Sequence, residues 1–170
     1  MKKTVIASSI VAVLAMQTGV ANAQSSSRVD SFLPKGAQEL SFSAQLSMPD
    51  EGDDNLFLFG SYGFSYTDNI QAKLGLTLFE SGGTRFGTIN PGADYIFNTR
   101  SEWIPYAGGS YGLSFGDFDS DFLEVHGGAK KFLGESLSVF GELRRSQAID
   151  TKPFDSSQFV LLVGVNIYLE

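Results

Sequence analysis

The chain has 170 residues, enough for one domain that buries its own core. Its 12 Lys and Arg against 19 Asp and Glu give a formal charge of −7, which excludes the basic surface that a nucleic-acid partner needs. Cysteine is absent, so neither a disulfide framework nor a thiolate metal site is open to it.

Residues 1–23 carry the three parts of an export signal. Lys2 and Lys3 supply a positive start, and Thr4 to Met16 is an apolar run with only Thr4, Ser8 and Ser9 as polar members. Ala21-Asn22-Ala23 then offers the small-x-small pattern of a signal-peptidase site. The run is too short for a spanning anchor and has no stop-transfer flank. Removing Lys2 and Lys3 leaves 12 − 2 = 10 basic residues against 19 acidic ones, a charge of −9. No stretch of 18 apolar residues follows the signal, so membrane residence would have to come from strands.

Gln24 to Ala37 reads as a short polar lead, rich in serine at Ser25-Ser26-Ser27 and closed by Pro34 and Gly36. From residue 38 to 170 the pattern changes to alternation with a period of two, the signature of strands with one apolar face. Glu39 to Met48 is the clearest start, with Leu40, Phe42, Ala44, Leu46 and Met48 on one side. Leu56 to Tyr66 follows, with Leu58, Tyr62, Phe64 and Tyr66 together. In Ile70 to Phe79 the apolar row is Ile70, Ala72, Leu74, Leu76 and Leu78, opposed by Gln71, Lys73, Gly75 and Thr77. Thr84 to Phe97 is less regular, and Asn90-Pro91-Gly92 predicts a bulge or break there because proline cannot donate to a ladder. Trp103 to Phe115 carries Trp103, Pro105, Ala107, Tyr111, Leu113 and Phe115 on one face. Phe122 to Leu133, Leu137 to Ser146 and Gln158 to Leu169 complete a set of eight strands.

The connections sort into two kinds. Thr67-Asp68-Asn69, Asn98 to Glu102 and Gly134-Glu135-Ser136 lie on one end. Pro49 to Asn55, Glu80 to Gly83, Gly116 to Asp121 and Gln147 to Ser156 lie on the other and are mostly longer. Short inner turns, longer outer loops and an even strand count are the layout of an outer-membrane barrel.

Alternation alone fits a soluble lipocalin-like barrel as well, with the apolar face turned inward. Charge placement favours the membrane arrangement. Only 18% of residues are charged, against roughly 25% in typical soluble domains. Many acids fall in the loops, at Asp50, Glu51, Asp53, Asp54, Asp117, Asp119 and Asp121, while the polar rows are mostly Ser, Gly, Thr and Gln. Tyr66, Tyr95, Phe97 and Trp103 also gather on the apolar face near the short-turn end, as an interfacial girdle does. The expected fold is all-β: a closed eight-stranded antiparallel up-and-down transmembrane β-barrel.

Trp103-Ile104-Pro105-Tyr106-Ala107-Gly108-Gly109, Gly127-Gly128-Ala129-Lys130-Lys131-Phe132, Gly141-Glu142-Leu143-Arg144 and Gly164-Val165-Asn166-Ile167-Tyr168-Leu169 resemble the later strands of small OmpA/OmpX-type outer-membrane barrels. The resemblance implies residence in the bacterial outer membrane, among its lipid and lipopolysaccharide, and insertion by the barrel-assembly machinery. Such barrels commonly end in Phe; here Leu169 takes that place and Glu170 follows. There is no room for the peptidoglycan-binding domain of larger relatives.

Within the ring, Gly134-Glu135-Ser136 sets a register in which paired positions sum to 270. Arg144 then opposes His126, with Glu124 diagonal to it, and Lys130 is diagonal to Glu142. Glu39, Lys73, Arg85 and Asp94 are expected to point inward as well. Eight strands leave a lumen just wide enough for side chains, where opposite charges must pair. A salt-bridged plug is one reading and a narrow, selective channel the other.

Catalysis finds little footing. The only histidine, His126, is followed by Gly127 and Gly128, so the His-x-Ser signature of the outer-membrane lipid A deacylases is missing. Asp117-Phe118-Asp119-Ser120-Asp121 lacks the Gly and distal Glu of a calcium loop. No catalytic, cofactor or metal residues are therefore assigned. The residues favour a structural or surface-interaction barrel over a channel and name no protein partner.

Overall fold

In a computed structural model, residues 33–47, 55–99, 101–117, 121–149 and 158–169 are described. The expected signal segment 1–23, most of the polar lead, Met48 and the acidic stretches 48–54 and 118–120 lie outside them.

Each alternating segment forms a strand, because β-branched, aromatic and small residues suit a pleated surface whose two sides meet different surroundings. The strands are β1 (Gln38–Ser47), β2 (Asn55–Ser65), β3 (Ile70–Ser81), β4 (Thr84–Ile96), β5 (Trp103–Gly116), β6 (Phe122–Phe132), β7 (Leu137–Ala148) and β8 (Gln158–Leu169). Each pairs antiparallel with its sequence neighbour, and β8 returns to β1 to close the barrel. Closing the ring pairs β1 with β8 up to Ser43↔Gly164, which shields those edges where no water can satisfy the backbone, while Ala44 to Ser47 and Gln158 to Val163 run on past the seam at the loop end. The seam runs from Gln38↔Leu169 to Ser43↔Gly164, and the Ser43 hydroxyl adds a bond to the Val163 carbonyl at 2.9 Å.

The apolar rows point outward. Leu74 is 53% exposed and Leu161 65%, and Tyr62, Leu74 and Pro91 lie side by side across β2, β3 and β4. A lipocalin-like barrel would have turned these rows inward, so that alternative is overturned. The barrel carries its greasy face to lipid.

The short turns sit at one end with β1's start and β8's finish. At the other end β3 and β4 join through Gly82-Gly83 alone, with Ser81 opposite Thr84. Both glycines hold positive φ, 54° and 86°, as a two-residue primed turn requires. Of the bulge or break expected at Pro91, the break is what forms, on one side only. Pairs on the β3 side run unbroken through Leu74↔Pro91. On the β5 side pairing lapses only at Asn90 and Pro91 and resumes in the same register, Ile89↔Leu113 and Gly92↔Ser110. The missing proline N–H is thus absorbed as a local gap, and no residue is inserted.

Inside, three layers stack along the axis. Ile96, Ile104 and Tyr106 form an apolar base near the short turns, with Phe132 and Tyr168 beside them. Charged residues fill the middle. Towards the loop end the inward side chains are Phe57, Phe79 and Phe86, with ring centroids 4.5 Å and 4.7 Å apart. The base also draws on the segment before β1: Leu33, 3% exposed, packs into it, with Ala37 beside it. The segment expected to be a polar lead therefore contributes to the core, because Leu33 finds an apolar surface at the open mouth.

Candidate functional site

The middle layer is built by side chains of inward parity from six strands. Glu39 on β1, Lys73 on β3, Asp94 on β4, Tyr106 on β5, Glu124, His126 and Lys130 on β6, and Glu142 and Arg144 on β7 all enter the lumen. The register of β6 and β7 sums to 270 and sets Arg144 opposite His126.

The pairs are short. Lys130 Nζ lies 2.6 Å from Glu39 Oε2, and the Ser41 hydroxyl donates to Glu39 Oε1 at 3.1 Å. β1 and β6 are not neighbours in the ring, so this bond spans the lumen. Lys73 Nζ meets Asp94 Oδ2 at 3.1 Å, while His126 Nε2 reaches Asp94 Oδ1 at 2.7 Å. Arg144 donates from Nε and Nη2 to Glu142 Oε1 at 2.8 Å and 2.6 Å, and its Nη1 lies 3.3 Å from Glu124 Oε1. The Tyr106 hydroxyl donates to the other Glu142 oxygen at 2.9 Å. Ser110 donates to Glu124 Oε1 at 3.1 Å. The Lys130 and Lys73 ammoniums also stand 5.4 Å and 5.8 Å from the centre of the Tyr106 ring.

The result is one connected belt. Glu39, Asp94, Glu124 and Glu142 contribute four negative charges and Lys73, Lys130 and Arg144 three positive ones. The sum, 3 − 4 = −1, becomes zero when His126 is protonated. A low-dielectric lumen makes each missing partner costly, so this near-balance is what allows so many charges to enter. Besides Asp94, His126 has Glu124 Oε1 3.8 Å from its Nδ1.

Little space is left. A cavity of about 50 Å³ lies beside Arg144, bordered by Ser41, Ser61, Thr77, Asn90 and Glu124. That is room for roughly four waters. Lys130 is bonded to Glu39 instead of its diagonal neighbour Glu142, because the lumen is narrow enough for opposite strands to meet.

Arg85 is a correction. It shares the odd positions of β4 with Ile89 and Tyr95, which face outward, and so it stays out of the lumen. Its guanidinium bonds Glu80 at 2.8 Å on the outer face, beside the Gly82-Gly83 turn. Next to this pair, Leu56, Leu58, Leu78 and Phe115 border a shallow outward groove of about 480 Å³.

Tyr66, Tyr95, Phe97 and Trp103 all face outward near the short-turn end. Tyr95 and Phe97 meet edge to face at 5.1 Å. Lys131 lies 6.0 Å from the Trp103 ring centre and 2.6 Å from the Glu102 carboxylate. Amphipathic rings beside an ion pair suit the boundary between lipid and water.

The inward phenylalanines and Leu33 were missed from the sequence. Phe57, Phe59 and Phe79 alternate out of phase with the leucines around them, a signal present but overshadowed by the apolar composition of both rows.

No family model matches the chain, and neither does any curated protein sequence. Solved structures do. The N-terminal β-barrel domain of Pseudomonas aeruginosa OprF is 14% identical with a TM-score of 0.60, covering 80% of this chain and 98% of its own. Neisserial surface protein A is 17% identical with a TM-score of 0.54, over 77% and 94%. A de novo designed transmembrane β-barrel reaches a TM-score of 0.59 at 9% identity, over 81% and 98%. At these identities the likeness is one of fold: an eight-stranded transmembrane β-barrel.

Proposed function

We propose that the protein resides in the bacterial outer membrane as a closed, salt-bridged barrel that acts through its surface and passes no solute. The observation that carries this reading is the belt of four carboxylates, three fixed cations and His126 around a cavity of about 50 Å³. Space of that size holds a few waters, which supports a lumen closed to larger solutes. The outward aromatic girdle and apolar rows support residence in lipid. The groove beside Arg85 and Glu80 supports contact with lipid or lipopolysaccharide at the loop end, where an acyl chain meets a charged headgroup. Among the described residues the hydrogen-bond partner of His126 is the Asp94 carboxylate and no hydroxyl nucleophile, which supports a non-enzymatic role. Insertion by the barrel-assembly machinery, through the strand ending at Leu169, belongs to the same reading.

A narrow gated channel is the second reading. Arg144 favours it, because its guanidinium touches both Glu142 and Glu124 and has two acceptors to choose between. Single-channel recording in planar bilayers separates the two. The closed barrel predicts no steady conductance; a steady current that changes with Glu142→Gln would establish the channel instead.

A further inference from the structure

The five residues Leu33-Pro34-Lys35-Gly36-Ala37 precede β1 and form a device of their own. The Ala37 N–H donates to the Pro34 carbonyl at 3.0 Å, which closes a tight reverse turn from Pro34 to Ala37. Gly36, third in that turn, holds φ 90°, the value a type II turn reserves for glycine. The turn is tied to the rim of the mouth. Gly36 N–H donates to the Ser65 carbonyl at 2.7 Å, and Ser65 N–H donates to the Ala37 carbonyl at 2.9 Å. Lys35 N–H donates to the Asp68 carboxylate at 3.1 Å. The reversal carries Leu33 back into the barrel, against Ile96, Ile104 and Tyr106.

Tyr106 links this apolar base to the charges above. Its ring lies under Lys130 and Lys73, and its hydroxyl holds Glu142. Leu33 thus covers the last apolar layer between the ion-pair belt and the water at the short-turn end. Its side chain is the part that enters the base, and the β1–β8 ladder does not depend on it. We propose that Leu33 and its turn are a stopper that seals the short-turn mouth, so that access to the lumen from that side is set by this segment. The inference goes beyond the closed-barrel reading, which rests on the belt itself.

The test uses Ser65, whose side chain is fully buried at this mouth and whose hydroxyl has no hydrogen-bond partner. The chain contains no cysteine, so Ser65→Cys is a single, near-isosteric label site. The full chain, refolded in detergent, is treated with a water-soluble maleimide in the Leu33, Leu33→Val, Leu33→Ala and Leu33→Gly backgrounds. The stopper predicts slow labelling with Leu33 and a rate that climbs as the side chain shrinks, by about tenfold or more at Gly. Retained heat-dependent gel migration marks each variant as folded, and the Val and Ala variants carry the trend should Gly fail to fold. A rate independent of residue 33, whether fast or slow throughout, overturns the proposal.

Discussion

Lys130 and Glu39 offer the sharpest perturbation of the lumen, because their bond joins strands on different sides of the ring. At 2.6 Å the attraction is about 6 kcal/mol with an effective dielectric constant of 20. Desolvating each ion costs several kcal/mol, so the pair as a whole adds little net stability. Removing one member is another matter. Lys130→Met leaves the Glu39 carboxylate, 2% exposed, beside the Ser41 hydroxyl without its ion-pair partner. The expected loss is about 3–5 kcal/mol. Glu39→Gln leaves the Lys130 ammonium unpaired at a similar cost, and the double variant removes both charges and should lose no more than either single one, a coupling of at least about 3 kcal/mol. Urea unfolding in lipid vesicles, followed by the fluorescence of Trp103, measures all three variants. A double-variant loss equal to the sum of the two single losses would refute the through-lumen bond. So would a Lys130→Met loss below about 1 kcal/mol.

Three further outcomes follow from the geometry. A Cβ at Gly108 would collide with Asp94, the Ala93 carbonyl and His126, whereas one at Gly141 meets open space. Gly108→Ala should therefore cost about 1–3 kcal/mol in the same unfolding assay, with Gly141→Ala near neutral. Replacing Gly82-Gly83 by Ala-Ala forces two side chains into positive φ and should destabilise the barrel by about 1–2 kcal/mol per residue, while Asn-Gly is tolerated. Glu102 lies in a turn outside the strands, where its hydrogen bond from Lys131, and then the Lys131 charge, hold its carboxyl below the ordinary 4.5. A lowered folded value favours the folded state above that pH and loses its contribution as pH falls through the lowered value. A fluorescence titration of neighbouring Trp103 should show this acid transition, and Glu102→Gln should abolish it.

Much of the fold is written in parity. A period of two fixes which residues share a face, and a turn as short as Gly134-Glu135-Ser136 fixes which residues oppose each other. His126 and Arg144 are therefore legible as partners. Arg85, expected inward, is the position where strict parity had to be followed through Pro91. A bulge at Pro91 would have reversed its facing relative to Asp94, and whether proline inserts a residue or merely leaves a gap depends on the ladder around it. The Glu39–Lys130 bond is hidden for a different reason. Contacts across the lumen depend on the tilt and stagger of the whole ring, which no local alternation records. Leu33 was overlooked because one leucine in a polar stretch carries no period. The turn chemistry of Pro34-Lys35-Gly36 was the available sign that the chain doubles back there.

The outward facing of the apolar rows is tested most directly by Trp103, the single tryptophan of the chain. In vesicles of brominated phospholipid its emission should be strongly quenched, more by bromines near the headgroups than by bromines at mid-chain. Emission that brominated lipid leaves unchanged would mean that this face does not meet the bilayer.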